Sequence, residues 1–385
     1  MDITLFDPAE IRQNLLPFTF TRPVADVRVG ILKISEKWEH YGFKVGYATE
    51  VYLSAKFINN GAQLTINGAL CPNQSVVEKI KSLKSGQKLM ADGQELAQLG
   101  EGSDEVFYEG DYRLITQPWE IFGHNREQII ADFALLTDGR TSADITDPHT
   151  IVYGRENLFI EEGASIRAAI INAEDGPVYI GKNAQIHEGA IIKGAFSLGE
   201  SSHVNMGAKI KGDTTIGPHS KVGGEISNAV IFGFTNKGHD GFLGNSVIGE
   251  WCNLGADTNT SNLKNNYASV KLWSYSNNRF ANTGLQFCGL MMGDHAKCGI
   301  NTMFNTGTVV GVGSNIFGAG FPRNFVPSYA WGGASGFTTF QLRKFYEVAA
   351  AVMQRRGLEL DDIEKNILST IFDNTTPNRV WENKV

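Results

Sequence analysis

The chain has 385 residues, a formal net charge of −7, 42% hydrophobic residues, 43 glycines and four cysteines. That length exceeds a usual single domain and predicts two or three. The acidic balance excludes a nucleic-acid binder, which needs a basic field, and no apolar run approaches the ~18 residues of a membrane span.

Met1 to Phe6 leads directly into Asp7 and Pro8, so no signal peptide is read at the start. A cytoplasmic, reduced protein is expected. Cys71, Cys252, Cys288 and Cys298 lack metal-type spacing and read as buried free thiols.

In chain order, residues 1–145 predict a small α/β domain. Ile3–Phe6 is a strand, Pro8–Leu16 one or two helical turns, and Val27–Ile34 a strand. Tyr47–Val51 and Gln63–Ile66 also read as strands. Gln74–Leu83 is a helix with Val76, Val77, Ile80 and Leu83 on one side, and Pro118–Asp132 is a second helical region. Two clusters are unusual: Leu15-Leu16-Pro17-Phe18-Thr19-Phe20-Thr21-Arg22-Pro23 and Ile66-Asn67-Gly68.

Residues 146–325 carry a different period. Every sixth residue from Ile180 is aliphatic: Ile180, Ile186, Ile192, Leu198, Val204, Ile210, Ile216 and Val222. Small or hydroxylated residues follow four places on, at Ala184, Ala190, Ser202, Ala208, Thr214 and Ser220. A period of six is neither that of a helix nor that of a plain strand. It is the hexapeptide repeat of a parallel β-helix, expected here to be left-handed. The phase resumes at Phe242, Ile248 and Leu254, and again from Met292 to Ile316. Two stretches interrupt it, Asn228–Gly241 and Asp257–Leu290, and loops leaving a rigid scaffold are where function usually sits.

Residues 326–385 read as a helical cap, since a solenoid end needs covering. Thr338 is the expected N-cap of a helix running to Arg356, with Gly357 as its stop, and Asp361–Phe372 is a second amphipathic helix.

The first interruption holds Gly238-His239 with Gly241 just beyond. A histidine in so glycine-rich a loop has little reason to be core, and its imidazole can take a proton near neutral pH. A rival is a zinc centre built from His187, His203 and His219. These lie sixteen residues apart, whereas a coil takes about eighteen, so they should face different ways. No metal is expected in the β-helix.

The run Gly238-His239, Leu243-Gly244, Ile248-Gly249, Asn253-Leu254-Gly255-Ala256, Thr258 and Asn262 resembles, in order and spacing, the acetyltransferase half of the bacterial bifunctional N-acetylglucosamine-1-phosphate uridyltransferase/glucosamine-1-phosphate acetyltransferases. Gly293-Asp294-His295-Ala296-Lys297-Cys298-Gly299-Ile300-Asn301 is similar to an archaeal branch of nucleotidyltransferases with acetyltransferase tails. The resemblance implies acetyl-CoA as cosubstrate, a sugar phosphate as acceptor and a homotrimer. It implies His239 as general base, Asn253 as its or the substrate's orienting partner, and Asn262 at the sugar. Backbone near Ala296 and Ser314 would line the acetyl-CoA groove, and Arg323 would meet its phosphate. The family's tyrosine falls on Phe242, and Ser227 stands near the position of its substrate lysine. Lys237, Lys264 and Arg279 are the available replacements for holding a phosphate.

The N-terminal part resembles a divergent sugar nucleotidyltransferase domain through Thr21-Arg22-Pro23, Val27-Arg28-Val29-Gly30, Ile66-Asn67-Gly68 and Pro118-Trp119-Glu120-Ile121-Phe122. The glycine-rich phosphate loop of ordinary members is missing, and Asn67 stands where they carry a metal-binding Asp. The resemblance implies a sugar-phosphate or nucleotide site around Arg22 and Asn67, with Mg²⁺ required only if this domain is active. Arg22 is equally readable as a structural salt bridge to Asp26 or Asp7. The expected function is acetyl-CoA-dependent N-acetylation of an amino-sugar phosphate. The alternatives are a sugar-1-phosphate nucleotidyltransferase with a trimerising β-helix, and a scaffold that binds nucleotide sugars without chemistry.

Overall fold

The structure, a computed structural model, describes residues 1–382. The N-terminal domain is built on a six-stranded mixed sheet in the order Lys44–Ala48, Asp2–Phe6, Leu64–Asn67, Gln94–Leu99, Gln87–Ala91, Asp104–Phe107. Ile3, Leu5 and Ile66 are fully buried in it. The helix Gln74–Lys81 forms where expected, and the Asn73 side chain caps it by accepting from the Val76 amide at 2.8 Å. The second helical region is two helices, Pro118–Gly123 and Asn125–Thr137.

Val27–Ile34 is not a strand. Its apolar residues are buried, but the chain turns at Gly30 (φ +80°) and enters a helix, Ile34–His40. The turn is held by side chains from the Asn125–Thr137 helix: Asn125 accepts from the Gly30 amide, and Asp132 from the amides of Ile31 and Leu32. A short buried apolar run does not by itself distinguish a strand from an enclosed turn.

The second domain is a parallel β-helix with three faces. All eight aliphatic residues of the six-residue repeat are at most 2% exposed. The regular coils return eighteen residues on, pairing Ile180 with Leu198, Ile186 with Val204 and Ile192 with Ile210. The corners use left-handed backbone at Asn183, Ser201, His219, Phe234, Trp251, His295 and Tyr329. Four of these corner residues form a continuous stack: His219 on Phe234 (4.9 Å), Phe234 on Trp251 (4.3 Å) and Trp251 on His295 (6.1 Å).

Asn228–Gly241 is not an excursion. Glu225–Gly233 is one nine-residue strand rounding a corner at Asn228, and the phase is lost because the coils shorten. Val222 pairs with Lys237, only fifteen residues on. Residues 229–234 are apolar throughout because Ile231 faces the β-helix interior while Val230 and Phe232 join the core of the N-terminal domain. The second interruption does leave the coils. After Asn259–Thr260 it forms an antiparallel hairpin, Lys271–Ser274 with Arg279–Asn282, and rejoins at Met291–Met292.

The ladder runs past residue 325, through Phe325–Val326 and Ala330–Gly333, and ends in a hairpin with Gly336–Thr339. Thr338 is therefore in a strand, and the helix begins at Leu342 with Gln341 as N-cap. The Asp362–Asn374 helix is capped by Asp361, which accepts from the Glu364 amide. These helices do not sit over the end of the prism. Phe345, Met353, Ile367 and Ile371 share a core with the corner residues Trp251 and Tyr329, and with Leu53 and Phe57 of the N-terminal domain. All four cysteines are buried and free. None of the helices among the described residues is long and apolar enough to cross a membrane.

Candidate functional site

His239 sits on the edge between the second and third faces of the coils, following the strand Asn236–Lys237 and preceding Phe242–Glu250. It is exposed, and its imidazole has no hydrogen-bond partner among the described residues. Backbone contacts fix the edge around it. The Gly238 carbonyl accepts from Asn205 Nδ2 at 2.7 Å, the Asp240 carbonyl from the Asp257 amide at 3.1 Å, and the Gly241 carbonyl from the Glu225 amide at 3.0 Å. Gly241 has φ +113°, and a Cβ there would stand 2.2 Å from the Thr258 carbonyl oxygen, so the next coil leaves no room for a side chain.

Asn253 is exposed on the adjoining coil, in register with Asn236. Asn262 lies on the third face, where its Nδ2 donates to Asn245 Oδ1 at 2.8 Å. Asn259, which the sequence did not single out, accepts from the Phe242 amide and so ties the His239 edge to the following coil. Asn205 was also missed. With coils of unequal length, no fixed offset in the sequence connects it to Gly238.

The other predicted positions are distributed differently. Lys237, expected at a substrate phosphate, is 1% exposed and points into the prism, with its ammonium on the carbonyls of His239 and Asp240. Burial lowers its pKa to about 8, against the opposing pull of Asp240, Cys298 and Asp257. Lys264 braces its own loop by donating to the Ser269 carbonyl. Arg279 and Arg323 are exposed.

Ala296 and Ser314, expected beside acetyl-CoA, are buried in the inner column of small residues. The Ala296 amide donates to the Gly293 carbonyl, and Ser314 Oγ to that of Pro327. The corner next to them is covered: Phe345 packs on His295, and Thr21 and Arg22 bind Asp294. The C-terminal helices and the N-terminal domain narrow this corner to a cavity of about 100 Å³, lined by Arg22, Lys33, Lys56, Glu250, Asp294 and His295. Of the three zinc-rival histidines, His187 and His203 lie 5.8 Å apart by ring centroid, while His219 belongs to the corner stack.

In the N-terminal domain Arg22 is 3% exposed and lies among three carboxylates: Asp294, Glu250 (3.2 Å) and Asp26 (3.6 Å). Two of these belong to the β-helix, so Arg22 joins the domains. Burial would raise both β-helix carboxyls. Arg22 and Lys33 overcome this at Glu250 and hold it below the usual range, while Asp294 stays raised. Asn67 is also enclosed, donating to the Glu95 carbonyl and accepting from the Ala69 amide. Each acid that would have to hold a metal is committed elsewhere: Asp7 to Arg12, Asp26 to Lys33, Asp132 to Lys37. Among the described residues no group of three or more His, Cys, Asp or Glu is placed to hold a metal ion. A cleft of about 240 Å³ between this domain and the excursion hairpin is lined by Asn14, Gln117, Trp119, Trp273 and Asn277, with no charged side chain to meet a phosphate.

The fold is a mixed α/β domain joined to a hexapeptide β-helix, with an exposed histidine that has no side-chain partner among the described residues on one edge of the coils. Residues 3–141 match the family model of sugar nucleotidyl transferases, as the resemblance at Thr21-Arg22-Pro23 implied. The chain is similar to a bifunctional sugar-1-phosphate nucleotidylyltransferase/acetyltransferase of Sulfurisphaera tokodaii, at 26% identity over 63% of this chain and 53% of that protein. It is also similar to the bifunctional protein GlmU of Methanocaldococcus jannaschii, at 36% identity over 24% of this chain and 22% of that protein. The chain thus spans about half or less of the length of these relatives. Among solved structures, an Arabidopsis UDP-N-acetylglucosamine acyltransferase aligns with 56% of this chain and 77% of its own, at 18% identity and a TM-score of 0.25, too loose a likeness to carry an argument. The chain is similar to bifunctional nucleotidyltransferase/acetyltransferases over part of their length.

Proposed function

We propose that the chain is an acetyl-CoA-dependent N-acetyltransferase acting on an amino-sugar phosphate in the cytoplasm, with His239 as general base. The observation that carries this reading is the exposed imidazole with no competing partner among the described residues, on an edge whose backbone is tied to the coils on both sides. The sugar amine attacks the thioester carbonyl, the C–N bond forms, the C–S bond breaks, and His239 accepts the proton that the nitrogen loses while coenzyme A leaves through sulfur. On the following coil, Asn253 orients the imidazole or the acceptor, and Asn262, farther along the third face, meets the sugar. Arg279 and Arg323 remain available for phosphate.

The reading includes a homotrimer. Ile151, Ile170 and Ile191 form a ladder of exposed aliphatic residues on the third face, a surface that a second copy of the chain would cover. Light scattering after gel filtration is expected to give three times the 42.1 kDa chain. The test of the chemistry is release of coenzyme A thiol from acetyl-CoA with glucosamine 1-phosphate, in wild type and His239→Ala. The variant is expected to lose about 10²–10⁴-fold in turnover with an unchanged melting temperature, and a rate above about a tenth of wild type overturns the assignment.

The match of residues 3–141 favours a second reading, sugar-1-phosphate nucleotidyl transfer. That chemistry needs Mg²⁺ and a carboxylate to hold it. The candidate acids Asp7, Asp26 and Asp132 do not fit that need, because each is engaged by a base or by backbone amides. Pyrophosphate release from UTP and N-acetylglucosamine 1-phosphate is therefore expected to be weak or absent. A chain that turns over neither substrate pair would be a scaffold.

A further inference from the structure

We infer that Lys237 is a positioning residue for His239: from inside the prism its ammonium holds the carbonyls of the edge that presents the imidazole. The inference rests on the reading of His239 as the base.

The column that Lys237 occupies is otherwise apolar. Ile186, Val204, Val222, Leu254, Cys298 and Ile316 hold the same inward position on the other coils. A leucine would fill that place without dehydrating a charge, so packing does not account for an amine here. Its atoms identify another role. Nζ lies 2.5 Å from the His239 carbonyl oxygen and 3.2 Å from that of Asp240.

The shortened coils explain why this edge needs a tie. On regular coils, backbone rungs secure the edge: the Gly189 amide donates to the Ala168 carbonyl, and the Gly207 amide to that of Glu188. Where the repeat drops to fifteen residues, from Val222 to Lys237, those rungs no longer line up. The Asp240 carbonyl keeps one, from Asp257, but the His239 carbonyl receives no backbone amide among the described residues and is held by Lys237 alone. Asn205 holds the Gly238 carbonyl on the N-terminal side of His239, so Lys237 completes the set by holding the peptide plane on its C-terminal side, in a stretch where Gly238 and Gly241 leave the backbone otherwise free to turn. Misplacement of a catalytic group by about 1 Å can lower turnover ~10²-fold.

The experiment compares wild type, Lys237→Met and His239→Ala in acetyl transfer from acetyl-CoA to glucosamine 1-phosphate, and measures hydrogen–deuterium exchange over residues 236–243. Lys237→Met keeps the volume and removes the tie. Its kcat is expected to fall at least about tenfold, with KM for acetyl-CoA within about twofold of wild type, an undiminished melting temperature and faster exchange at the edge. If His239→Ala is inactive while Lys237→Met keeps wild-type kcat, the positioning role is overturned and the base assignment stands. If His239→Ala stays active, the base assignment fails, and unchanged exchange in Lys237→Met then overturns the tie on its own. Lys237→Gln, an atom too short to span both carbonyls, serves if the Met variant does not fold, and wild-type turnover and exchange in it overturn the inference.

Discussion

Replacing Arg22 with methionine tests whether the domain junction rests on one guanidinium. Arg22→Met keeps most of the volume and leaves Asp294, Glu250 and Asp26 without their shared cation. Lys33 still lies 3.0 Å from Asp26 and 3.9 Å from Glu250, so the loss falls mainly on Asp294, whose side chain is 4% exposed. Two hydrogen bonds to it survive, from Thr21 Oγ1 at 2.8 Å and the Glu250 amide at 2.9 Å. Removing one member of a buried ion pair costs about 3–5 kcal/mol, and the surviving contacts favour the lower end. At roughly 2–4 °C per kcal/mol for a large domain, the melting temperature should fall by about 6–12 °C at pH 7. Without Arg22 the raised pKa of Asp294 rises further. A buried acid with a raised pKa is tolerated while protonated and costs stability as pH rises through that value. The deficit should therefore shrink as pH falls, and Arg22→Met/Asp294→Asn should recover much of it. Scanning fluorimetry from pH 7 to pH 5, with limited proteolysis of residues 138–150, reads both effects. A pH-independent loss below about 1 kcal/mol, or reduced nucleotide binding with unchanged stability, would refute a junction role for Arg22.

Glu250 titrates in the opposite sense. Its folded pKa is below the ordinary 4.5, so its stabilisation is present above that value and should be lost as pH falls beneath it, an acid limb that Glu250→Gln should lack in a pH series of melting temperatures. Gly217→Ala should cost about 1–3 kcal/mol, because its Cβ would stand 1.9 Å from the Phe232 carbonyl oxygen, whereas Gly123→Ala, with nothing within 4 Å, should be neutral in the same melting assay. Ile191→Lys should lower the oligomer's mass in light scattering while leaving the coil intact, since Ile191 is exposed and its neighbour Ile192 is the interior residue. An unchanged oligomer would remove this ladder from the interface.

The β-helix was legible because it is local physics repeated. A residue every sixth position must fill the prism, so Ile180 to Val222 declare the fold without reference to any distant part of the chain. The glycines around His239 were legible for a related reason, since Gly241 stands where the following coil leaves no space for a side chain. Tertiary structure alone decided the rest. Val27–Ile34 has a strand's composition but turns because Asn125 and Asp132, about a hundred residues away, take its amides. Asn228–Gly233 lost its phase because coil length changed and both of its sides are buried, one by the prism and one by the N-terminal domain. Arg22 read equally as a ligand for phosphate or a salt bridge within its own domain, and its principal partner, Asp294, lies 272 residues on. Lys237 read as a candidate for holding a phosphate and is enclosed. Period and composition report which residues avoid water, but a charged side chain's role depends on what faces it, and that is set by contacts between coils and domains that no short window of sequence contains.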